Sequence, residues 1–559
     1  MGNKKYGLKW IFQKTIKCRL QMIIYALLAL CIPIIQLLFA YFMKLFIDVA
    51  VGSSEMSLFY IALYSIAAII AGGIVMMINS VLAKNIYGTN ENNLRTELMD
   101  IILSRRLLDI SKQHSGELLT RLTADIQAVS SCYITIAENI IGGLASALFA
   151  VAALFFLNWK IALILIILTP LMMSLMGALT PQIQKVSAAD KNCDEINRSI
   201  MQENLNKILL IKTYSMQIKI TEKMKSAYTN KLKSGMVLGA WEGAAMFVGA
   251  LSGNVMSLVT LGLGSYFVLK DETTVGSLIM IVQLLNYIIT PLTKFPAAVA
   301  QIGQAVASSE RIGEIYELPS EQINNALESV NVQKLYAENL SFAYTQEKNI
   351  LNNIDLSFSK GTVTGIIGKS GSGKSTLLKL LMGLYTPQNG TVKLEYDSGT
   401  LSRSDIITQV AYVPPSDYLF SGTVAENIIM SEKNAVQNQM QEAALKANVL
   451  DFINSMPNGF DTVLGEYGNT VSSGQAQRIA IARAIYKKST VFIFDEPTAN
   501  LDGDSIMKFQ ASVKKLAEDN ICIIVTHDTL TVDICDKVYV LSDGFVTEKI
   551  QSTTNKQKA

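Results

Sequence analysis

A glycine-rich stretch at residues 368–376 has the composition and spacing of a phosphate-binding loop. An apolar run, 362–367, precedes it and a leucine-rich run follows it. Glycines let backbone N–H groups approach phosphates, and the N-terminus of the next helix adds the positive end of its dipole. We expect Lys374 to reach the β- and γ-phosphates of a nucleotide and Ser375 to hold Mg²⁺. The other predicted phosphate contacts are Gly368, Ser370, Gly371, Ser372, Gly373 and Thr376.

Two acidic residues and a histidine follow further apolar runs in the same region. Asp495 and Glu496 come after the run 491–494, and His527 comes after the run 521–526. Continuous apolar runs of this kind are typical of strands that are covered on both faces of a sheet. We predict that Asp495 assists in holding Mg²⁺ and that Glu496 orients or deprotonates the attacking water. His527 ends a strand of the same sheet, so we predict that it contacts the γ-phosphate.

An α/β domain is needed to position these residues. After about residue 310 no apolar run is long enough to cross a membrane. We therefore predict that residues 332–559 form an α/β P-loop nucleotide-binding domain in the cytosol, after a polar linker at 313–331. Residues 1–312 are predicted to form a transmembrane domain.

The composition excludes several classes of protein. Of 559 residues, 50% are hydrophobic and only 17% are charged, against about 25% charged in an average soluble protein. Intrinsic disorder is excluded and an ordinary soluble enzyme is disfavoured. A formal net charge of +2 gives no sign of a nucleic-acid partner. Two histidines, and six cysteines without a CxxC pair, argue against a multi-histidine metal site and a disulfide framework.

The apolar residues of the first half form six stretches, each able to hold the roughly 20 apolar residues that cross a bilayer. The stretches are 21–47, 57–83, 133–158, 161–180, 236–269 and 275–300. Lysines and an arginine precede the first stretch, so the positive-inside rule places the N-terminus in the cytosol. The long connections 84–132 and 181–235 carry helical apolar spacing. We predict that they extend the membrane helices into the cytosol as two intracellular loops.

With these motifs in place, the chain resembles a half-transporter of the ABC superfamily with the exporter-type fold. Residues 471–478 resemble the family's LSGGQ signature, and residues 495–502 resemble its Walker B motif and D-loop. The resemblance covers essentially the whole chain. It implies a multi-domain fold, in which a polytopic α-helical membrane domain with six spans precedes one α/β P-loop nucleotide-binding domain. The intracellular loops are implied to supply coupling helices near 112–119 and 210–216.

The resemblance also implies the cofactors and the partner. In the family two such domains close head to tail around two ATP molecules, each held by the P-loop of one domain and the signature of the other. ATP and Mg²⁺ are thus the expected cofactors, and a second half-transporter is the expected partner. A homodimer is favoured and a heterodimer stays open. Tyr344 is implied to stack on adenine and Asp502 to form the D-loop, while the signature residues implied to act on the partner's ATP are Ser472, Ser473, Gly474 and Gln475.

Two positions depart from the family's pattern. Pro415 stands where the Q-loop has glutamine, and proline offers no side-chain donor or acceptor to ligate Mg²⁺ or orient water. The hypothesis is that hydrolysis, or its coupling to transport, is slowed, the alternative being that a neighbouring group or water fills the role. Unchanged ATPase and transport rates in Pro415→Gln would contradict it. Ser473 occupies the third signature position, a change that occurs on one member of heterodimeric exporters.

The implied function is ATP-driven export of a peptide, drug-like or lipid substrate by alternating access. An importer on the same fold and a regulatory ATP-binding membrane protein with little transport are the alternatives. The compact half-transporter organisation resembles that of bacterial exporters, which suggests that the protein is located in the cytoplasmic membrane. Polar groups in spans usually face the interior, and acidic ones would favour a cationic substrate, unless they lie at the inner interface. The candidate cavity residues are Glu138, Trp241, Glu242, Asn254, Gln283 and Asn286.

Overall fold

The computed structural model of the chain divides into two compact units. The first unit comprises the chain up to Ile102 together with Ser115–Glu317, and the second comprises Leu103–His114 together with the chain from Leu318 onward. The structure describes residues 6–15, 18–321, 330–344, 349–401, 403–415, 419–430, 436–465, 471–498 and 503–549.

Long helices make up the first unit. Two π-helical segments, Arg121–Asp125 and Ile136–Gly142, also lie in this unit. The helices up to residue 317 are α1 (Leu8–Lys14), α2 (Arg19–Ala50), α3 (Leu58–Leu103), α4 (Leu107–Ile110), α5 (Ser115–Thr120), α6 (Ile126–Thr135), α7 (Gly143–Leu157), α8 (Trp159–Asn206), α9 (Ile208–Thr213), α10 (Gln217–Leu269) and α11 (Val275–Glu317).

Five helical segments of the described residues are long and apolar enough to cross a membrane. They are Arg19–Ala50, Leu58–Leu103, Ser115–Leu157, Gln217–Leu269 and Val275–Glu317. The predicted span at 161–180 lies within α8, where the shorter stretch Trp159–Leu171 is apolar. Large apolar side chains point outward along these helices, with Phe156 92% exposed, and lipid is the environment that such a surface needs. The chain is a multi-pass membrane protein with a helical transmembrane domain.

Several of these helices are much longer than a bilayer requires. At about 1.5 Å per residue, α10 extends far beyond the roughly 30 Å of a hydrocarbon core. The polar parts of α3, α8, α10 and α11 are continuous with their apolar parts. α11 ends at Glu317, so it runs into the linker that was predicted for residues 313–331.

Close packing between α2 and α11 depends on a glycine. The Gly276 backbone N–H donates to Asp48 Oδ1 at 3.0 Å, and the Asp48 side chain is buried. A Cβ at Gly276 would lie 2.3 Å from the Lys44 carbonyl oxygen and 2.5 Å from Asp48 Oδ1. Neither contact is sterically possible, so any side chain at position 276 has to push the two helices apart.

Gly276→Ala is therefore expected to destabilise the membrane domain by about 1–3 kcal/mol, the usual cost of overpacking. The measurement is the thermal unfolding midpoint of the purified protein in detergent. Gly253→Ala is the matched control, since a Cβ there meets no atom within 4 Å. A Gly276→Ala midpoint equal to that of Gly253→Ala would contradict the packing argument.

Two main sheets and their covering helices form the second unit. An antiparallel sheet has the order β2-β1-β4-β5, a six-stranded sheet has the order β12-β11-β3-β10-β9-β6, and β7 pairs with β8. The strands are β1 (Val332–Phe342), β2 (Leu351–Ser359), β3 (Val363–Gly368), β4 (Asn389–Tyr396), β5 (Gly399–Leu401), β6 (Val410–Val413), β7 (Gly422–Thr423), β8 (Val463–Leu464), β9 (Val491–Asp495), β10 (Ile521–Val525), β11 (Lys537–Ser542) and β12 (Phe545–Lys549).

Five neighbouring strands of the six-stranded sheet run parallel, and β12 pairs antiparallel at its edge. All five residues of β9 and all five of β10 are buried, which explains the uninterrupted apolar sequences 491–494 and 521–525. The helices of this unit after residue 330 are α12 (Lys374–Leu381), α13 (Arg403–Gln409), α14 (Val424–Ile429), α15 (Gln437–Lys446), α16 (Leu450–Ser455), α17 (Ser473–Tyr486), α18 (Gly503–Ala517) and α19 (Thr529–Val532).

One short piece of the first intracellular connection belongs to the second unit. Leu107 and Leu108 of α4 pack against the apolar core that the two sheets share with α12. Backbone hydrogen bonds at Ser104 and Arg106 tie the start of this piece to Glu321 and Pro319. The segment that packs on the α/β unit therefore lies earlier in the chain than the coupling helix predicted near 112–119. At the second predicted position, near 210–216, the structure has α9.

Candidate functional site

The predicted phosphate-binding loop turns between β3 and α12. Gly371 has φ of +80° and Gly373 has φ of +103°, a region that residues with a Cβ rarely adopt. A Cβ at Gly368 would lie 2.4 Å from the Leu541 carbonyl oxygen. Glycine is therefore required at these positions for the loop to fold. The loop leads into α12 with Lys374 as the first helical residue.

Polar side chains converge in the phosphate-binding loop. The Lys374 ammonium donates to the carbonyl oxygens of Gly368, at 2.5 Å, and Lys369, at 3.2 Å. Ser370 and Ser375 are exposed. The Ser372 hydroxyl is buried with no hydrogen-bond partner among the described residues. A buried unpaired hydroxyl beside an ammonium and a helix N-terminus fits an anion with several oxygens.

Tyr344 lies two residues after the end of β1 and contacts the start of α12. Its hydroxyl shares a hydrogen bond of 3.1 Å with the buried Thr376 hydroxyl. Its ring meets Phe342 and Tyr385 edge to face, at centroid distances of 5.2 and 6.0 Å. These contacts fix the ring while the side chain stays exposed, so the Tyr344 ring is available for a planar ligand.

Three predicted catalytic and metal-binding residues lie at the carboxyl ends of β9 and β10. Asp495 is 6% exposed, and it is paired with Val525 in the strand register. Glu496 follows at φ +48° with its N–H donating to the Val525 carbonyl at 2.8 Å. Its carboxylate lies 3.7 Å from His527 Nδ1.

The left-handed backbone of Glu496 is a strained conformation for a residue with a side chain. Such strain costs of order 1–3 kcal/mol and persists where the surrounding structure over-determines it, often at functional sites. Here the hydrogen bond to β10 holds the backbone, and the side chain stays partly exposed beside His527. A partly exposed carboxylate held at the edge of the sheet is placed to act on a bound molecule.

A residue that the sequence analysis did not single out also contacts this group. The Tyr412 hydroxyl donates to Asp495 Oδ2 at 3.0 Å, from β6 on the neighbouring strand. Burial, and then the negative charge of Asp495, raise the pKa of Tyr412, so the phenol remains a donor at physiological pH. Tyr412 lies three residues before Pro415. It could have been identified from its position in β6, the strand that pairs with the strand of Asp495.

The surroundings of Asp495 shift its pKa in opposite directions. Burial raises the pKa of the Asp495 carboxyl, the Tyr412 hydrogen bond lowers it, the charge of Glu496 raises it, and Lys374 and Lys379 lower it. Asp495 and Lys374 are therefore close enough to interact. A carboxylate and the Ser375 hydroxyl offer hard oxygen ligands, the type that Mg²⁺ prefers. The described residues contain no group of three His, Cys, Asp or Glu side chains arranged to hold a metal ion, so such an ion would also need phosphate oxygens.

The predicted signature residues form the start of α17. Ser472 caps the helix in a reciprocal pair with Gln475: the Gln475 N–H donates to Ser472 Oγ, and the Ser472 N–H donates to Gln475 Oε1. Gly474 is buried, whereas Ser472 and Ser473 are exposed. These capping bonds stay within the helix start. The exposed N-terminus of a 14-residue helix can receive an anion from outside the chain.

The structure thus brings together the phosphate-binding loop, Asp495, Glu496 and His527 at the carboxyl edge of one sheet. Pro415 follows β6 at that edge. A side-chain hydrogen bond from Gln477 of α17 to the Pro497 carbonyl links the signature helix to the segment after Glu496. Asp502, the predicted D-loop residue, lies outside the described residues.

Tyr412→Phe is expected to raise the Mg²⁺ concentration needed for half-maximal ATP hydrolysis several-fold. The variant removes the donor that holds one oxygen of Asp495, and a hydrogen bond to a charged group contributes about 1.5–3 kcal/mol. Tyr396→Phe, on β4 of the other sheet, is the matched control. Identical Mg²⁺ titrations for the two variants would show that Tyr412 does not position Asp495.

Comparison with known proteins matches both halves of the chain. The family model described as ABC transporter matches residues 351–499, and the model described as ABC transporter transmembrane region matches residues 22–292. An ATP-dependent lipid A-core flippase of Pectobacterium atrosepticum is 26% identical over 91% of this chain and 88% of that protein. The serine protease/ABC transporter B family protein tagA of Dictyostelium discoideum is 29% identical over 81% of this chain, which spans only 26% of that protein.

A solved structure has the same fold. It is that of a bacterial Atm1-family ABC exporter with ATP bound, with a TM-score of 0.78 and 21% identity over 95% of each chain. Membrane helices joined to this nucleotide-binding edge define a transporter ATPase. The chain belongs to the ABC transporter superfamily and has the exporter-type architecture; it is an ATP-driven exporter.

Proposed function

We propose that the chain is a half-transporter that exports its substrate by alternating access as a dimer. The observation that carries this proposal is the arrangement of one nucleotide-binding unit. Its phosphate-binding loop, Asp495 and Glu496 meet at one edge of a sheet, whereas the exposed start of α17 is capped by its own residues. A second copy of the unit would supply its own α17 to complete the nucleotide site.

In this proposal Lys374 and the backbone N–H groups of the phosphate-binding loop bind the phosphates of ATP. The Ser372 hydroxyl and the start of α12 add further donors. Ser375 and Asp495 would hold Mg²⁺, which would neutralise phosphate charge. Tyr344 stacks on adenine. The remaining loop residues, Gly368, Ser370, Gly371, Gly373 and Thr376, shape the loop.

Glu496 then accepts the proton of the attacking water, and His527 contacts the γ-phosphate. The Glu496 carboxylate is held by its strained backbone and lies beside His527. From the partner, Ser472, Ser473, Gly474 and Gln475 would close over the phosphates. A homodimer is the simplest form, because this chain carries both Glu496 and His527.

The proposed location is the cytoplasmic membrane of a bacterium, with the nucleotide-binding unit in the cytosol. The basic residues ahead of α2 support this orientation. A hydrophobic or amphiphilic substrate is supported by the relatives, one of which is a lipid A-core flippase.

The test is Mg-ATP turnover and molar mass of the purified chain alone in lipid nanodiscs. We expect turnover and a protein mass of twice 61.2 kDa. If the chain alone is inactive and has the mass of one chain, but gains turnover when a second half-transporter is added, the active form is a heterodimer and not a homodimer. An inactive chain that gains none from any partner would contradict the proposed function.

A further inference from the structure

A cavity of about 380 Å³ lies within the helices of the first unit. Residues of α2, the π-helical segment Ile136–Gly142, α7 and α11 line it. Its polar lining includes Glu138 and Lys294, together with Asn139 and Asn286. Ionisable side chains within membrane spans are rare and mark binding or transport pathways.

The walls of this cavity are irregular helix segments. Glu138 sits on a π-helical segment, a feature often found at functional sites. Pro33 of α2 and Pro291 of α11 both line the cavity and both interrupt the hydrogen bonds of their helices. Gly143 faces Pro291 closely, since a Cβ at Gly143 would lie 3.1 Å from Pro291 Cβ. Three irregular helix segments with a close glycine contact thus shape one cavity.

Glu138 is held in place at the wall. The buried Tyr25 donates its hydroxyl to Glu138 Oε1 at 2.6 Å, and the Glu138 side chain is itself exposed. Within the described residues, neither Glu138 nor Lys294 has an ion-pair partner within 4.0 Å. The cavity therefore offers a carboxylate and an ammonium that do not neutralise each other directly.

Both charged groups lie at a similar depth. Glu138 is 19 residues before Leu157, the end of α7, and Lys294 is 19 residues after Val275, the start of α11. At about 1.5 Å per residue, each lies roughly 28 Å from the outer end of its helix. That places them near the inner edge of a hydrocarbon core of about 30 Å.

Further toward the middle of the membrane the lining loses its charge. Ser146 and Asn286 each lie 11 residues from the same outer helix ends, or roughly 16 Å. Ile32, Pro33 and Gly142 add apolar wall. The cavity thus has both signs of charge at its inner end and a neutral, partly apolar lining above it.

We propose that this cavity binds a zwitterionic amphiphile, with the ligand's ammonium at Glu138 and its acidic group at Lys294. A ligand of this kind satisfies both charges, and its apolar part follows the neutral lining toward the middle of the membrane. This proposal rests on the proposed function, because it names the chemical class of the exported substrate. A second cavity among the described helices, lined in part by Gly249 and Met256, has no charged residue in its lining.

The test is equilibrium binding to the full chain purified in a nonionic detergent, without nucleotide, by isothermal titration calorimetry. The first probe is 1-palmitoyl-lysophosphatidylethanolamine, which carries both charges and a tail. Its N-acetyl derivative lacks the ammonium, and free phosphoethanolamine lacks the tail. We expect the full probe to bind most tightly of the three. Weak binding of phosphoethanolamine would show that the ligand is not a water-soluble zwitterion.

Glu138→Gln is expected to weaken binding of the full probe at least tenfold and to leave the N-acetyl probe unchanged. Glutamine keeps an oxygen to accept the Tyr25 hydroxyl, so the fold should be preserved. Lys294→Gln should weaken both lipid probes. Glu242→Gln is the matched control, because Glu242 is a span carboxylate outside the lining of this cavity.

Equal affinities of the wild type, Glu138→Gln and Lys294→Gln for the full probe would overturn the proposal, as would an equal loss in Glu242→Gln. Tighter binding of phosphoethanolamine than of the lipid probe would overturn the amphiphile assignment. The nucleotide-free readout separates these results from failure of the proposed function, which would appear as absent Mg-ATP turnover in the wild-type protein.

Discussion

Glu496→Gln is expected to lower ATP hydrolysis by about 100-fold or more, the usual range for loss of a general base, while ATP still binds. Glutamine has the shape of glutamate, so the strained backbone and the hydrogen bond to Val525 can remain. It cannot accept the proton of the attacking water. Among the described residues, Glu496 is the carboxylate that pairs with His527, at 3.7 Å. The neighbouring carboxylate, Asp495, accepts a hydrogen bond from Tyr412.

Steady-state phosphate release in lipid nanodiscs measures this effect, and a fluorescent ATP analogue reports binding. Glu395→Gln is the matched control, because Glu395 is an exposed carboxylate on β4 of the other sheet. Hydrolysis that persists in Glu496→Gln at the level of Glu395→Gln would remove Glu496 from the catalytic step.

Lys374→Ala is expected to weaken ATP binding at least tenfold and to reduce hydrolysis further. The Lys374 ammonium lies against the carbonyl oxygens of the phosphate-binding loop, and its charge lowers the pKa of Asp495. Charge-assisted hydrogen bonds to phosphate are roughly twice as strong as neutral ones. The variant therefore removes binding energy as well as stabilisation of the charge that develops during hydrolysis.

Lys369→Ala provides the control for this prediction. Lys369 is an exposed residue of the same loop, and it offers its backbone carbonyl to Lys374, an acceptor that alanine retains. Both variants lose one positive charge. Equal loss of affinity in the two would mean that general electrostatic attraction, and not the placement of Lys374, binds the phosphates.

Local sequence patterns predicted most of the nucleotide-binding half. The apolar run at 362–367 forms β3, and the runs before Asp495 and His527 form β9 and β10. These elements are predictable because a buried parallel strand needs uninterrupted apolar residues, and a loop with left-handed backbone needs glycine. The contact of Tyr412 with Asp495 was not predicted, since it depends on which strands become neighbours in the sheet.

The membrane half was predicted in outline only. Residue hydropathy locates the long apolar helices, but the stretch at 161–180 is followed without a break by the polar part of α8. Of the candidate cavity residues, Glu138 and Asn286 line the cavity described above, whereas Trp241, Glu242, Asn254 and Gln283 do not. Helix rotation decides which polar residues face inward, and a π-helical segment such as the one at Glu138 shifts that rotation locally.

The packing of α4 was also outside the reach of sequence patterns. Leu107 and Leu108 are apolar residues in a short polar connection, and their partners lie more than 200 residues later in the chain. Helical spacing could locate the connection but not the surface that it contacts.

Cross-linking between the phosphate-binding loop and the signature tests the central claim, that two copies of this chain complete each other's nucleotide site. Ser370 and Ser473 are both exposed, so Ser370→Cys and Ser473→Cys can be combined in a Glu496→Gln chain and treated with a short bismaleimide. We predict a product of twice the 61.2 kDa chain mass that requires Mg-ATP and both cysteines. Cross-linked product that stays at single mass, or a double-mass product that forms equally without ATP, would contradict the account.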